Sequence, residues 1–395
     1  LKAGDILISK DSNVGEVAIL DKDYQNAMLC GAIYRLPISK YKYYILAMIK
    51  SELFRQQIDY LVPRGSTIRH GKTKFLECKI PFPNSIQEDT IRYVEVLIKA
   101  IIRKESKIQS LHKQILSKIH EELVNRQKDE KFTFLPPTLN EILMLDRMDS
   151  CLYTHQFKEK EFLIRNYLYG TSTVRELGFN ISRGQNLQIS NIGKSVQTKE
   201  KRPNYYKLIL PKYISIYGTV KKDEYLGNPN ELKTLKVGDI IFGAEGNEKG
   251  RSIAIIEDMD RTITNIHGIT LNQKSHNMRK GVFVKLFLDY LRSQGMIDAY
   301  AVGGNGGSLA IKYWDFLKFP NFPDEIEEEI VKIYHNSNST YDTSGCTLEN
   351  FEEYDSLFNK EAGIYEIQKS LNHLQARLDK AIQNIANDYE VNIEF

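Results

Sequence analysis

The run Ser182-Arg-Gly-Gln-Asn-Leu-Gln188 sets one guanidinium and three carboxamides within seven residues. Arg183 matches the paired acceptors on the guanine edge, and Gln185, Asn186 and Gln188 match the donor–acceptor pair of adenine. Each good bidentate contact is worth about 1–3 kcal/mol of base discrimination. Lys199, Lys201, Arg202, Tyr205 and Tyr206 follow closely. They suit phosphates, which position a duplex without reporting its sequence. Glu245, Asn247, Lys249 and Arg251 form a second base-reading candidate with Lys10, Asp11 and Asn13 as its counterpart nearer the start of the chain, and Arg64, Arg69, His70 and Lys72 form a further basic loop. These residue types bind rather than break bonds.

The sequence carries no catalytic pattern to set beside them. There is no Gly-x-x-x-x-Gly-Lys-Ser/Thr phosphate loop. The glycine-rich Gly303-Gly-Asn-Gly-Gly307 precedes a strand-like Ser308-Leu-Ala-Ile311 instead of opening a helix, so it reads as a tight turn. The Asn-Pro-Pro-aromatic tetrad of adenine methylation is missing, since Pro136-Pro137 follows Leu135. His267 and His276 stand nine residues apart with no acidic or thiol ligand set near them, which argues against a metal site. Glu329-Ile-Val-Lys332, on a helical pattern, is a poor nuclease candidate.

Composition agrees with a binding protein. The 395 residues are 42% hydrophobic and 27% charged, a globular mixture with room for two or three domains. The net charge of +3 is unevenly spread. Residues 150–234 hold 14 Lys or Arg against 7 Asp or Glu, and residues 1–85 hold 13 against 8. Residues 323–395 hold 5 against 16. A basic segment rich in Tyr, Asn and Gln fits nucleic acid. No apolar run reaches the roughly 18–20 residues that span a bilayer, and no leader peptide is visible. Cys30, Cys78, Cys151 and Cys346 are too scattered for a zinc site or a disulfide framework. A soluble, cytoplasmic protein is expected.

The elements that must position these side chains occur twice. Leu1-Lys-Ala-Gly-Asp-Ile-Leu-Ile-Ser9 matches Leu235-Lys-Val-Gly-Asp-Ile-Ile-Phe-Gly243, and Leu76-Glu-Cys-Lys-Ile-Pro-Phe-Pro83 matches the segment from Leu317 to Pro323. Between them lie Gly15 and Gly250, then Gly65-Ser66 and Gly307-Ser308; Ile86 and Ile91, and Ile326 and Ile330, follow the proline pairs. Five features in the same order indicate a duplication. Each copy reads as a turn feeding a strand, a second strand (Glu16 to Leu20; Ser252 to Ile256), and a helix (Tyr43 to Gln57; Val282 to Gln294). Further strand signals lie at Leu208 to Pro211 and Tyr213 to Tyr217. The segment 150–234 has no counterpart before Leu1, so the first copy is expected to lack its first half, as in a fragment or the downstream part of a longer product.

Two long helices complete the pattern. Ile91, Val94, Ile98, Ile101, Ile108, Leu111, Ile115, Ile119 and Leu123 mark one apolar stripe from about Gln87 to Arg126, about 60 Å of helix at 1.5 Å per residue. Ile364, Ile367, Leu371, Leu374, Leu378, Ala381 and Ile385 mark another with heptad spacing. A single seam needs a partner, either the other helix packed antiparallel or a second molecule. Residues 336–354, rich in Ser, Asn, Thr and acids, read as a mobile insertion.

The doubled Gly-Asp-Ile units, the proline steps and the two helices together resemble the specificity subunit of type I restriction-modification systems. The resemblance implies an α+β fold with two target-recognition-type α/β domains, separated and closed by two long helices packed as an antiparallel coiled coil. The expected divisions are a partial first recognition domain at 1–85, a spacer helix at 86–131, a second recognition domain at 136–325 and a second helical region at 326–395. It also implies a non-catalytic reader of a bipartite double-stranded DNA target. The helices would fix the spacer and dock modification subunits, with Ile98, Ile101, Ile108, Ile115, Leu371, Leu374 and Leu378 as the coiled-coil or docking positions. S-adenosylmethionine would sit on the modification subunit, none on this chain, and a restriction subunit would join to cleave. The competing class is a coiled-coil adaptor that binds a protein or a carbohydrate, for which the acidic tail and small net charge argue.

Overall fold

The computed structural model describes residues 1–62, 69–84, 87–257, 261–303 and 306–395. In chain order the first elements are β1 (Ile6–Ser9), β2 (Val17–Ile19), β3 (Ile33–Leu36), α1 (Lys42–Lys50), α2 (Glu52–Leu61) and α3 (Gln87–Asn125). Then follow α4 (Leu139–Leu145), α5 (His155–Arg165), β4 (Thr171–Ser172), β5 (Phe179–Arg183), α6 (Ile189–Ile192), β6 (Val196–Thr198), β7 (Tyr206–Leu208) and β8 (Tyr225–Gly227). After these come β9 (Ile240–Gly243), β10 (Ser252–Ala254), β11 (Thr262–Ile263), β12 (Gly268–Gln273), α7 (Met278–Ser293) and α8 (Met296–Tyr300). The chain ends with β13 (Phe319–Pro320), α9 (Asp324–Tyr334), α10 (Phe351–Glu361) and α11 (Ile364–Ala386). Among the described residues no helix is long and apolar enough to cross a membrane.

The chain divides into two compact units. The first comprises Leu1–Ile108, Ser337–Ala362 and Glu366–Phe395; the second comprises Gln109–Asn336 and Gly363–Tyr365. Helix α3 is continuous through the change of unit at Ile108. Its length agrees with the stripe read from the sequence, and Glu88 and Asp89 in its first turn favour the positive end of the helix dipole.

In the first unit a three-stranded antiparallel sheet has the order β2-β1-β3, with Ile8 opposite both Val17 and Tyr34. Ile6 and Ile8 point from it into a core completed by Tyr44, Phe54, Ile58, Val94, Leu97, Ile98, Ile101, Leu374, Leu378 and Ile385. Helices α3 and α11 thus pack together, antiparallel: Asn84, just before α3, donates to Asp388, just after α11, at 2.7 Å. The helix expected over Tyr43 to Gln57 is two helices. Ser51 takes an extended conformation, donates to the Met48 carbonyl at 2.6 Å, and caps α2 by accepting from the Phe54 amide.

The segment expected to be mobile is ordered. Tyr341 packs on Phe358 at 4.7 Å and donates to Asp355, and Cys346 and Leu348 border the core. The Thr343 hydroxyl donates to the terminal Phe395 carbonyl, and the Phe395 ring stacks on Phe351 at 3.9 Å. Polar composition misled here because a few anchors inside a polar stretch are enough to fix it.

The second unit holds a four-stranded antiparallel sheet, β10-β9-β12-β5, and a second sheet, β11-β7-β8-β6. Helix α7 is buried along nearly its whole length and packs on β10 and α9. Leu111, Ile115, Ile119 and Leu123 of α3 are buried in this unit. Tyr213 to Tyr217, read as a strand, is instead a short 3-10 turn followed by loop, with only Ile214 bridging to Val220.

The duplication is visible bond by bond. Gly4 and Gly238, both left-handed, donate to the carbonyls of Leu20 and Ile255. Gly15 donates to Ser9, and Gly250 to Gly243. Lys10 donates to Ala32, and Ala244 to His267; Gly71 donates to Lys10, and Leu309 to Ala244. In both copies the Asp of Gly-Asp closes its turn by accepting from a lysine amide two residues before the glycine, Lys2 or Lys236, at 2.9 Å. One pairing in the sequence needs correction. Gly65-Ser66 lies outside the described residues, and the position that bridges to Asp11 as Ser308 bridges to Glu245 is His70.

Candidate nucleic-acid interface

In the second unit, the loop after β5 meets the loop between β11 and β12 because Gly184 has no side chain. A Cβ there would stand 2.1 Å from the Asn265 carbonyl oxygen. The absence of one lets the Gly184 amide donate to Gly268 and the Gln185 amide to Thr264, at 2.9 and 2.8 Å. A cleft results, lined by Arg183, Gly184, Gln185, Asn186, Lys233, Leu235, Thr264 and Thr270. Lys233 reaches Ser182 at 3.2 Å. The loop after the repeated strand β9 borders this region, and its Glu245 carboxylate takes Arg183 on one oxygen at 3.0 Å and His267 on the other at 2.8 Å.

Of the expected base readers, Arg183 is half-exposed, Gln185 and Asn186 line the cleft, and Gln188 is exposed at the start of α6. Asn247 is exposed, but its neighbours turn inward. Lys249 pairs with Asp298 at 2.7 Å, and Arg251 pairs with Glu248 and donates to the Ile214 carbonyl. Burial pulls the Arg251 guanidinium below its usual value. Arg251 therefore braces its loop and is not placed to read bases.

The phosphate candidates also divide. Lys199, Lys201 and Arg202 are exposed, and Arg202 stacks on the Tyr205 ring while pairing with Glu200. Tyr205 lies across Gly227, where a Cβ would meet its ring at 2.4 Å. Tyr206 is fully buried: its hydroxyl donates to Asn230, accepts from the Leu232 amide and meets Arg261. It belongs to the core of the second sheet and has no path to a phosphate. The period-2 burial of β7, in which Tyr206 and Leu208 face the core, overrides its polar neighbourhood in the sequence.

In the first unit the matching loop keeps less. Asn13 and Lys72 are exposed, and the Lys10 ammonium lies over Tyr34 at 4.9 Å. Asp11 holds His70 at 2.9 Å. Arg69 is turned inward, onto Asp59 at 2.8 Å and the Val62 carbonyl, so it braces α2 and is not available to DNA. Arg64 lies outside the described residues.

The side chains expected at the coiled-coil or docking positions are packed inside the chain. Ile98, Ile101, Ile108, Ile115, Leu374 and Leu378 are buried and Leu371 is half-buried. They hold their own units together. Among the described residues, exposed apolar side chains gather at Leu135, Leu139, Leu143, Met144 and Met148. No group of His, Cys, Asp and Glu among the described residues could hold a metal ion.

Lys233 and Thr270 of this cleft were not singled out by spacing. Thr270 reaches it through the pairing of β12 with β5, which sets it opposite Ser182, 88 residues away.

Comparison with known proteins places the first part of the chain. Residues 1–128 match the family described as type I restriction modification DNA specificity domain. No curated protein matches the chain. Among solved structures, it is similar to the S subunit of a type I restriction-modification system from M. genitalium, at 15% identity and a TM-score of 0.46, over 97% of this chain and 83% of that one. It is also similar to the HsdS subunit from Thermoanaerobacter tengcongensis, at 11% identity and a TM-score of 0.31, over 98% and 81%. A third similar structure concerns complex assembly and conformational transition of the type I R-M system, at 11% identity and a TM-score of 0.32, over 98% and 82%. The family that the order of repeat, proline step and long helix resembles is thus the family whose model residues 1–128 match.

Proposed function

We propose that this chain is the DNA sequence-specificity subunit of a type I restriction-modification complex. It contributes recognition and leaves the chemistry to its partners. The observation that carries this is the cleft of the second unit, where Arg183, Gln185, Asn186 and Lys233 converge beside the loop of the repeated strand, in a chain whose residues 1–128 match a DNA specificity domain. Arginine and carboxamides are the side chains that tell guanine from adenine in the major groove, and Lys199, Lys201 and Arg202 supply the phosphate contacts that hold register. On this reading the two units read the two halves of a split target in duplex DNA, with the long helices as the spacer. Modification subunits bind S-adenosylmethionine and methylate adenine, and a restriction subunit joins them.

The test is to mix the chain with its modification subunit and a pool of random duplexes, and to sequence what is retained. A split motif with a fixed spacer is expected. One half-motif alone would keep the role and assign it to a single unit. No enrichment with the partner bound would overturn the reading and leave a helical adaptor.

A further inference from the structure

Glu245 sits where a DNA reader has least use for a negative charge, on an exposed loop beside a basic cleft. Its two carboxylate oxygens are both taken: Arg183 Nη1 donates to Oε1 at 3.0 Å, and His267 Nδ1 meets Oε2 at 2.8 Å. Arg183 Nη1 also lies 3.4 Å from the Ile266 carbonyl. One nitrogen of the guanidinium thus makes both protein contacts, and the Nε–Nη2 edge is left for a bidentate partner. His267, with Nδ1 engaged, keeps Nε2 for a second contact. The Glu245 backbone is fixed by its bridge to Ser308.

The first unit repeats the device. Asp11 stands at the same step of the repeat as Glu245, seven residues after the Gly of Gly-Asp-Ile. It too grips an imidazole, that of His70, at 2.9 Å, and it too is fixed by a backbone bridge. An acid at the same place in both copies, holding an imidazole each time, is explained by what it orients.

We infer that Glu245 is a positioning residue that presents Arg183 and His267 together as one base-reading element, and that Asp11 does the same for His70. This rests on the DNA-reading role proposed above. A guanidinium on a flexible stem loses rotamer freedom when it binds, and a fixed partner reduces that loss before the duplex arrives.

The test uses the full chain with its modification subunit and the same pool of random duplexes, comparing wild type with Arg183→Ala, Glu245→Ala and Glu245→Gln. Arg183→Ala should erase the preference at particular positions of one half-site. Glu245→Ala should weaken preference at those same positions by about tenfold, leaving the other half-site and the salt dependence of total binding unchanged. Glu245→Gln, which can still accept from Arg183, should restore most of it. A Glu245→Ala motif identical to wild type would overturn the positioning role alone. So would equal blurring of both half-sites, which marks a loosened fold. A wild-type chain that selects no motif would overturn the DNA-reading role, and the positioning role with it.

Discussion

The two repeats share a frame and differ in what they hang on it. In both, the glycine turns, the strand pair and the bridge at the acidic residue are made by backbone groups, so Ser9 can stand where Gly243 stands and Ala32 where His267 stands without disturbing a bond. In the second copy the far edge of β12 takes β5, which delivers Arg183 and the cleft behind it. In the first, β3 pairs only with β1 among the described residues, and Arg69 turns inward. Recognition chemistry is therefore separable from the frame. It depends on which strand lies next to the repeat and on the loop side chains, which backbone pairing leaves free to differ.

The sharpest way to break the comparison is through the buried ions, one set in each unit. In the second, Lys285 and Asp289 pair at 2.7 Å with no exposure, His112 of α3 meets Asp289 at 3.3 Å, and Lys285 donates to the Tyr217 carbonyl. Burial pulls the Lys285 ammonium below its usual value. It would raise the Asp289 carboxyl, but the charge of Lys285 and the bond from His112 bring that group below its ordinary range. In the first unit, Lys104 pairs with Asp355 at 2.7 Å, also fully buried. Asp289→Ala and Asp355→Ala each strand a buried ammonium and should cost about 3–5 kcal/mol. Denaturant unfolding checks this, and a cost below about 1 kcal/mol in either unit would show that water reaches its pair.

Gly184→Ala comes next. Its Cβ would overlap a backbone oxygen that cannot rotate away, whereas at Gly71 the first obstacle is the Val14 side chain at 2.4 Å. About 1–3 kcal/mol is expected at Gly184 and less at Gly71, read from the thermal midpoints. Equal costs would deny the second cleft its special tightness.

Tyr206→Phe should cost about 1–2 kcal/mol by leaving buried partners unmet, with the salt dependence of DNA binding unaltered. Arg202→Ala should barely move stability and should lower the salt slope by about one. If the two results were exchanged, the assignment of Tyr206 to the core would be wrong.

The smallest effect concerns Glu327 on α9. Burial raises its carboxyl above the ordinary 4.5, against the opposing charge of Lys280. The folded protein then holds this proton more tightly than the unfolded chain does. Its contribution to stability is full below about pH 4.5 and is lost as pH rises through the raised value. Glu327→Gln should match or slightly exceed the wild type at pH 7, with the gap closing below about pH 4.5. A loss of equal size at both pH values would point to the Lys280 contact instead of burial.

Local signals were legible because they are local. Glycine at a left-handed turn, aspartate accepting from a nearby amide and an apolar stripe at helical spacing each act within a few residues, and the repeat, α3 and the stripe of α11 follow from them. The break at Ser51 was missed because one capping hydroxyl interrupts an otherwise continuous helical pattern. Tyr206, Arg69 and Arg251 were misjudged because polarity in sequence does not tell which way a side chain faces.

What the sequence determined by itself was the duplicated frame, its long helices and the family resemblance that their order carries, since period and turn chemistry depend on neighbours along the chain. What only the tertiary structure decided was which charged side chains are free to meet a ligand. That depends on partners far away in sequence: Glu245 for Arg183, Asp298 for Lys249, Asp355 for Lys104. A charge is turned outward or inward according to whether such a partner and the space for it exist, and only the packed chain supplies either.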